Sequence, residues 1–510
     1  MTGPVASVPL PSAAEIRVDV QRMVDCGPRL TGYDAHDRFC TWVEDEMRAA
    51  GLEVLPSDVY RYERYQPGDF GLEVLDGDAP GPIAVPTWFV RTVGTPPGGV
   101  TGPLLVADGF PQLDAFQAMA NPFDVATAIE AWIASVPAGR FEGSILLVDL
   151  DTPARLSADI FLLVAAYLQW DEHTEDDWSR IDYSRAWLGP WPDLNHLTPL
   201  GVQGVVFTTR ASWDAMVGNN SLHINWPQPI PALVVDRDTG AALHGHAARG
   251  AQVRLRLEVA VDEVRLRQQT ALLRGRSDEC IIVNTHTDGQ NAFEENGACA
   301  AVAMARHFAS LPEAERLDRT LVFAFYPGHM SGRTGIEDPR GWIGCHVDLV
   351  DRAVAAVSIE HLGATEWVDD PEHGFHATGE PELYGIWTTQ GPMLDEIARP
   401  ALVASGLQRH ALLKPPLQIT PGRAFHWLGV PHVSGIAGPT YLLQVSETGG
   451  MDKFDADLAA DQIAFYADIV RRLDTADPAA LRRDDATLGV DGGSDEDRTY
   501  RDDSVAEEGV

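Results

Sequence analysis

The strongest constraint on the fold is a regular alternation of apolar strands and helices that begins at Glu279. Three segments have the length and apolar character of buried strands: 281–283, 320–326 and 353–359. Helical patterns follow or separate them at 298–311, 342–349, 392–405 and 454–473. This order predicts an α/β sheet with helices on both faces. We therefore expect functional side chains at the carboxyl ends of these strands, where α/β proteins bind ligands.

The rest of the chain has a different texture. Residues 12–51 follow a helical pattern, whereas residues 93–264 consist mainly of short apolar strands separated by turns. Within this second region, the acidic and aromatic stretch 170–191 has two interpretations, a lid or partner surface, or an ordinary surface excursion packed by its tryptophans. We favour the excursion. After Asp474 the apolar content falls and acidic residues dominate, which predicts a disordered tail.

The charge balance limits the partners that this chain can have. Asp and Glu number 75 against 38 Lys and Arg, a formal net charge of −37. Such a field repels phosphate, so neither nucleic acid nor an anionic membrane is an expected partner. Residues 1–11 lack the basic and apolar regions of a secretory signal, and no apolar run approaches the ~20 residues of a membrane span. We expect a cytoplasmic protein, and a homo-oligomer is compatible with the sequence.

The five cysteines are widely spaced and form no C-x-x-C pair, so the sequence predicts neither a zinc knuckle nor a disulfide framework. The informative motif instead follows the strand 281–283, as Asn284-Thr285-His286-Thr287-Asp288. Residues i and i+2 of a strand share a face, so His286 and Asp288 are expected on the same side. An imidazole in this setting binds a metal ion through one nitrogen while a carboxylate orients the ring. Alone, a His-x-Asp pattern is more often structural than catalytic.

The segment that follows makes the His-x-Asp motif more specific. Phe293-Glu294-Glu295-Asn296-Gly297-Ala298-Cys299-Ala300 leads directly into a helix of small residues. Here the sequence resembles the co-catalytic zinc aminopeptidase and glutamate carboxypeptidase family (metallopeptidase clan MH). That family places a His-x-Asp after a strand and an Asp-Asn-Gly turn at the start of the next helix. Three further segments are similar to the family's N-terminal segment, its Phe-x-x-x-Gly-Ile-Pro segment and its last helix: Gly27-Pro28-Arg29-Leu30-Thr31-Gly32, Phe425-His426-Trp427-Leu428-Gly429-Val430-Pro431 and Met451-Asp452-Lys453-Phe454-Asp455.

The resemblance covers most of residues 12–475 and implies a mixed-sheet, zinc-exopeptidase-like αβα sandwich. It also implies that the strand-rich region is an inserted domain like the protease-associated domain of many members. On this basis we expect residues 1–92 and 265–475 to form the catalytic domain, residues 93–264 the inserted domain, and residues 476–510 an acidic disordered tail.

The resemblance further implies a set of metal ligands. His286 and Asp288 fall on the family's metal-binding His and its orienting Asp. Glu295 falls on the metal-bridging Asp, and Glu360 on the Asp that completes the first metal site. His286, Glu295 and Glu360 are therefore the expected ligands.

The departures from the family pattern predict a remodelled site. The family has a Glu-Glu pair after the strand 320–326, where this chain has His329 and Met330. Near Gln444-Val445-Ser446, where the family has a late His, no histidine stands. The second metal thus loses its own ligands, and we expect one divalent ion, with zinc the first choice. The two Asp-to-Glu exchanges are also compatible with another divalent ion. His329 is expected as a catalytic proton-transfer group or as an extra nitrogen ligand.

Other polar residues near these motifs receive weaker assignments. His426 and His361 are assigned to substrate binding. Glu294 is expected to be solvated or to cap the following helix, and Cys299 to be a packing residue rather than a nucleophile.

These observations favour a metal-dependent hydrolase that cleaves an amide or peptide-like bond in a small molecule or short peptide. Two alternatives stay open. One is a single-metal lyase, isomerase or cyclase on the same scaffold. The other is a non-catalytic binding protein that kept the scaffold after losing its catalytic pair.

Overall fold

The computed structural model describes residues 9–77, 79–112, 122–150, 155–157, 164–170, 182–187, 191–220, 227–331, 338–415 and 418–483. Within these residues, 16 strands form one continuous mixed sheet, and two further strand pairs form small separate sheets. Helices pack on the large sheet, so the predicted α/β class is confirmed.

The strands, in chain order, are β1 Glu53–Val54, β2 Asp58–Val74, β3 Gly81–Ile83, β4 Thr87–Trp88, β5 Val100–Val106, β6 Ile145–Asp149, β7 Arg155–Ser157, β8 Ala165–Gln169, β9 Asp182–Ser184, β10 Gly204–Thr208, β11 Ala232–Val235, β12 Gln252–Leu273, β13 Cys280–His286, β14 Thr320–Tyr326, β15 Ala353–Ile359, β16 Thr365–Asp370, β17 Gly374–Pro381, β18 Tyr384–Thr388, β19 His410–Leu413 and β20 His432–Ala437. The α-helices are Ala13–Asp25, Asp34–Ala49, Pro122–Ser135, Trp213–Met216, Arg237–Ala248, Gly297–Ser310, Asp338–Cys345, Val347–Asp351, Arg399–Ser405, Gly422–Trp427, Ala456–Thr475 and Pro478–Arg483. Short 3-10 turns cover Leu194–Leu200, Glu313–Glu315 and His329–Ser331, and a π-helical turn covers Met393–Ala398.

The centre of the sheet is made of the parallel strands β14, β13, β15 and β20, in that order. All seven residues of β13 are buried, which explains its continuous apolar run. Ile281 and Val283 face one hydrophobic core, and Cys280 and Ile282 face another on the opposite side of the sheet. The strand therefore lies between two layers and holds its carboxyl end in a fixed position.

Each face of this central sheet is covered by its own helices. The helices Ala13–Asp25, Gly297–Ser310 and Ala456–Thr475 supply apolar residues to the larger core. Trp342, from Asp338–Cys345, and Phe425, from Gly422–Trp427, pack into the core on the other face. The result is a sandwich of helices, sheet and helices.

A third core is built on the parallel strands β5, β6, β10 and β11. The long antiparallel strands β2 and β12 connect this region to the central sheet, because β12 pairs with β5 near Val253 and with β14 near Ala271. One strand of the intervening chain, β8, pairs with β19 at the far edge of the central sheet. The division into domains stays a prediction.

Several elements differ from their predicted bounds. Strand β12 continues past residue 264, the predicted end of the strand-rich region, to Leu273, because its second half pairs with β2 and β14. The helix predicted over 342–349 consists of two helices that meet at His346. The helix Pro478–Arg483 lies within the stretch predicted as a tail and buries Leu481 against the larger core. Residues 484–510, and most of the stretch 170–191, lie outside the described residues.

Among the helices of the described residues, none combines the length and the apolar character needed to cross a membrane.

Candidate metal centre

Three of the predicted site residues come from adjacent strands of the central sheet. His286 is the last residue of β13, His329 follows β14, and Glu360 follows β15. Strand β13 pairs in parallel with both β14 and β15, so all three residues lie at the same edge of the sheet. The rings of His286 and His329 stack with their centroids 4.2 Å apart.

His286 is fully buried, and its orientation is fixed by Asp288. The ring atom Nδ1 lies 2.8 Å from the Asp288 carbonyl oxygen and 3.3 Å from Asp288 Oδ1. Asp288 is itself held, because Oδ2 accepts hydrogen bonds from the Thr31 hydroxyl at 2.5 Å and the Met330 amide at 3.0 Å. A carbonyl oxygen only accepts, so Nδ1 carries the proton and the lone pair of neutral His286 is on Nε2.

Carboxylates surround the Nε2 atom of His286. Glu295 Oε2 and Glu360 Oε1 each lie 3.4 Å from it, and Glu294 Oε1 lies 3.6 Å away. All three glutamates are buried. The three predicted ligands, His286, Glu295 and Glu360, are thus close together, although they are separated by up to 74 positions along the chain.

The expectation for Glu294 was wrong. Its side chain is only 3% exposed and lies 2.8 Å, Oε2 to Nε2, from His361. The reason is that the loop before the helix Gly297–Ser310 folds inward. Arg29 donates to the carbonyl oxygens of Asn291 and Glu294, and the Asn291 amide donates to three carbonyl oxygens. Those three belong to Tyr441, Leu442 and Gln444. The Glu-Glu doublet before the helix was the available signal, but tertiary hydrogen bonds of this kind have no signature in the sequence.

His361 also lies in this cluster, immediately after Glu360. Its Nε2 is 3.4 Å from Glu295 Oε2. Side chains of adjacent residues in a strand point to opposite faces, but His361 has a positive φ of 56°, which turns the chain at this point. His361 was predicted to bind substrate, and no pattern in the sequence indicates this turn.

Burial and mutual repulsion shift the pKa values of these groups. Burial, together with Glu360 and Glu294, raises the pKa of Glu295 to about 8 despite the nearby His361 and His286. Burial disfavours the charged form of His361, but Glu294, Glu295 and Glu360 outweigh it and raise its pKa to about 9. The pKa of His286 is raised in the same way, by Asp288, Glu360 and Glu295 acting against burial. The carboxylates of the cluster therefore repel one another, and a cation beside them relieves that repulsion.

The unsatisfied atoms of the cluster fit a metal ion. Among the described residues, six of its buried atoms have no hydrogen-bond partner: Nε2 of His286 and of His361, Oε2 of Glu294 and of Glu295, and both carboxylate oxygens of Glu360. Ligands at roughly 2.0–2.2 Å from a tetrahedral ion lie about 3.3–3.6 Å from one another. The two 3.4 Å separations from His286 to Glu295 and Glu360 agree with that spacing. Two overlapping groups of described residues could hold an ion: His286 with Glu295 and His361, and His286 with Glu294 and His329.

A narrow pocket of ≈ 40 Å³ adjoins this centre. It reaches Thr31 and Met330, the two residues that bind Asp288, and the rest of its wall is largely aromatic and polar. The wall includes Tyr33, Tyr62, Tyr65, Trp88, Arg91 and Asn220.

Two predicted residues lie apart from the cluster. His426, on Gly422–Trp427, is buried with its ring centroid 5.5 Å from that of His432, and neither of the two metal-capable groups contains it. Its assignment to substrate binding stays a prediction. Cys299 is fully buried beside the Met23 sulfur, and burial raises the pKa of its thiol well above the ordinary value, as expected for a packing residue.

No protein-family model matches the sequence, and no curated protein matches it. Solved structures do match the fold over nearly the whole chain. A peptidase M28 precursor from Shewanella amazonensis SB2B has a TM-score of 0.62 at 16% identity, covering 90% of this chain and 93% of its own. BSAP, a zinc aminopeptidase from Bacillus subtilis, has a TM-score of 0.58 at 14% identity, covering 94% and 100%. An aminopeptidase from Aneurinibacillus sp. strain AM-1 has a TM-score of 0.57 at 14% identity, covering 91% and 94%. At these identities the likeness establishes the fold alone.

Proposed function

We propose that this protein is a metal-dependent hydrolase that cleaves an amide or peptide-like bond in a small substrate, using a single divalent ion, with zinc the first choice. The observation that carries the proposal is that Glu295 Oε2 and Glu360 Oε1 each lie 3.4 Å from His286 Nε2, in a buried cluster beside the carboxyl ends of β13 and β15. The matching solved structures support it, because they are described as aminopeptidases and a peptidase.

His286, Glu295 and Glu360 would hold the ion. The chemistry that a divalent ion supplies in such a site is polarisation of the substrate carbonyl and acidification of water. Asp288 fixes the tautomer and the orientation of His286 through the two contacts at Nδ1.

A single ion is favoured by what stands at the remaining positions. The side chain of Met330 offers only a thioether, a soft ligand that zinc and other borderline ions rarely use in hydrolytic sites. Its backbone instead supports Asp288. Gln444 is buried and directs its amide to the Asp214 carbonyl oxygen at 2.6 Å. Neither residue supplies what a second ion of the family type requires.

We assign proton transfer to His329. Its ring stacks on His286, so it lies beside the expected ion and at the exit of β14. An imidazole has an ordinary pKa of about 6.5 and can accept a proton from water and deliver it to a leaving amine near neutral pH. The burial of the three glutamates excludes bulk water from the reacting groups.

The pocket beside Thr31 and Met330 is the candidate substrate-binding place, because these two residues hold Asp288 next to His286. We assign to it part of a short peptide or of an N-acylated small molecule.

The test is turnover of a panel of amino-acid amides, dipeptides and N-acyl amino acids by the zinc-loaded protein. We expect hydrolysis of at least one amide class and its loss in Glu360→Gln. Turnover of non-hydrolysable ketone or hydroxy-acid substrates without amide hydrolysis would favour a lyase or isomerase instead. Binding of ligands without any turnover would favour a binding protein.

A further inference from the structure

The ring of His361 is fixed in the same way as that of His286. Its Nδ1 lies 2.5 Å from the carbonyl oxygen of Ala437, at the end of β20. Because a carbonyl oxygen only accepts, the proton of neutral His361 is on Nδ1 and the lone pair is on Nε2. In metal sites a ligating histidine characteristically donates its other ring N–H to a carbonyl or carboxylate. His361 has that arrangement before any ion is considered.

The lone pair of His361 points toward the same carboxylate oxygen as that of His286. Glu295 Oε2 lies 3.4 Å from Nε2 of each histidine. The three ligand atoms lie within 4.8 Å of one another. The two 3.4 Å separations to Glu295 Oε2 agree with the ~3.3–3.6 Å between neighbouring ligands of one tetrahedral ion. Among the described residues, Nε2 of His361 has no hydrogen-bond partner, although Glu294 Oε2 lies 2.8 Å from it as an ion-pair contact.

The backbone of His361 supports a functional role for its position. It is one of three residues other than glycine with a positive φ among the described residues. Such conformations are disfavoured for residues with a side chain and persist where the surrounding structure imposes them, often at functional sites. Here the turn allows consecutive side chains, Glu360 and His361, to face the same cluster.

We propose that His361 is a fourth protein ligand of the ion, through Nε2, together with His286, Glu295 and Glu360. This inference rests on the proposed function, since it concerns the same ion. Two imidazoles and two carboxylates would then hold the ion. His286 ends β13, Glu360 and His361 follow β15, and Glu295 lies in the loop before the helix Gly297–Ser310. Glu294, which contacts both imidazoles, adds the remaining negative charge.

The alternative role for His361 is an imidazolium that only pairs with Glu294. The two roles differ in the number of imidazoles bound to the ion, because an imidazolium has no lone pair to donate to a metal. The number of imidazoles bound to the ion therefore separates them without any activity measurement.

The experiment is zinc K-edge X-ray absorption on the full-length, zinc-loaded and desalted protein. We expect scattering from two imidazoles, falling to one in His361→Gln, while His329→Gln keeps two. His361→Gln should also weaken zinc binding by at least about a hundredfold, since even the loss of a supporting residue costs 10–100-fold. His373→Gln is the matched control, because His373 has a 68% exposed side chain on another surface and should change neither result.

One imidazole in the wild-type protein would overturn the inference, and so would a count of two that persists in His361→Gln. Zinc bound through a single imidazole would leave the proposed hydrolase standing and remove only His361. Failure of the wild-type protein to bind zinc would overturn both proposals. The wild-type and His329→Gln spectra decide the matter even if His361→Gln does not fold.

Discussion

For single residues, metal binding depends on how the surrounding contacts orient each imidazole. Asp288 holds His286 at Nδ1, and Thr31 and the Met330 amide hold Asp288. Every link in this chain of contacts is buried, so water does not compete for the bonds. The position of the reactive nitrogen is thus determined by the fold rather than by the ion.

The role of His329 can be tested by a single substitution. In His329→Gln the imidazole is replaced by a neutral amide that cannot exchange a proton near pH 7. We expect kcat to fall about a hundredfold with the bound zinc unchanged, because general acid–base catalysis typically contributes 10²–10⁴-fold. Steady-state kinetics on the best amide substrate and metal analysis of the same sample provide the readout. Loss of zinc along with activity would instead identify His329 as a ligand.

The placement of His286, Asp288 and Glu360 at or just after buried strands was predictable, because the apolar runs of β13 and β15 are visible in the sequence. Their expected roles in the site came from the family resemblance. Glu294 and His361 could not be placed in the same way. Their positions depend on hydrogen bonds from distant residues, Arg29 to Glu294 and His361 to Ala437, and on one left-handed backbone turn. Tertiary contacts of this kind leave no periodic signal in a sequence.

At the scale of elements, the loop between β13 and the helix Gly297–Ser310 decides whether the site exists. It approaches the segment around Arg29 so closely that Gly289 donates its amide to the Arg29 carbonyl oxygen at 2.8 Å. A Cβ atom on Gly289 would lie 1.7 Å from the Glu294 carbonyl oxygen. No side chain fits there while Glu294 and Glu295 keep their places.

Gly289→Ala should therefore displace the loop and its two carboxylates. We expect a loss of zinc binding and a destabilisation of about 1–3 kcal/mol, typical of overpacking a close contact. Gly344→Ala is the control, because Gly344 lies in the helix Asp338–Cys345 and a Cβ there meets nothing within 4 Å. That change should leave zinc binding intact and stabilise by up to about 1 kcal/mol through helix propensity. Calorimetric titration with zinc and thermal unfolding measure both effects, and normal zinc affinity in Gly289→Ala would contradict the assignment.

The bounds of the buried strands were predictable from the sequence. Strands β14 and β15 begin and end where their apolar runs do, since both faces of each are buried. The bounds of β12 were not predictable, because only half of the strand alternates clearly and its remaining length is set by pairing with β2 and β14. Pairing partners, rather than local pattern, fix such boundaries.

At the scale of the whole molecule, a buried ion pair joins the chain segment 182–187 to the central sheet. Arg185 Nη2 lies 2.5 Å from Glu382 Oε1, and the two side chains are 1% and 0% exposed. Arg185 also donates to the Gly438 carbonyl oxygen, and the Trp187 indole donates to that of Pro439. These contacts hold the segment beside the end of β20, where the Ala437 carbonyl oxygen contacts His361 Nδ1.

Removing one member of this pair should destabilise the molecule more than removing both. We expect Arg185→Met to cost roughly 3–5 kcal/mol, because it leaves the Glu382 carboxylate buried without its guanidinium. In Arg185→Met combined with Glu382→Leu, much of that loss should be recovered. Denaturant unfolding of the four proteins gives the coupling energy, and strictly additive effects would show that the pair contributes nothing as a pair.

Metal analysis is the direct test of an ion held by His286 at the end of β13, Glu360 after β15 and Glu295 in the loop before the helix Gly297–Ser310. The protein is loaded with excess zinc, desalted and measured by mass spectrometry, beside His286→Ala treated identically. We expect about one equivalent of zinc per wild-type chain and almost none in the variant, because His286 supplies a ligand that the carboxylates do not replace. Less than ~0.2 equivalents in the wild-type protein, or equal zinc in both proteins, would contradict it.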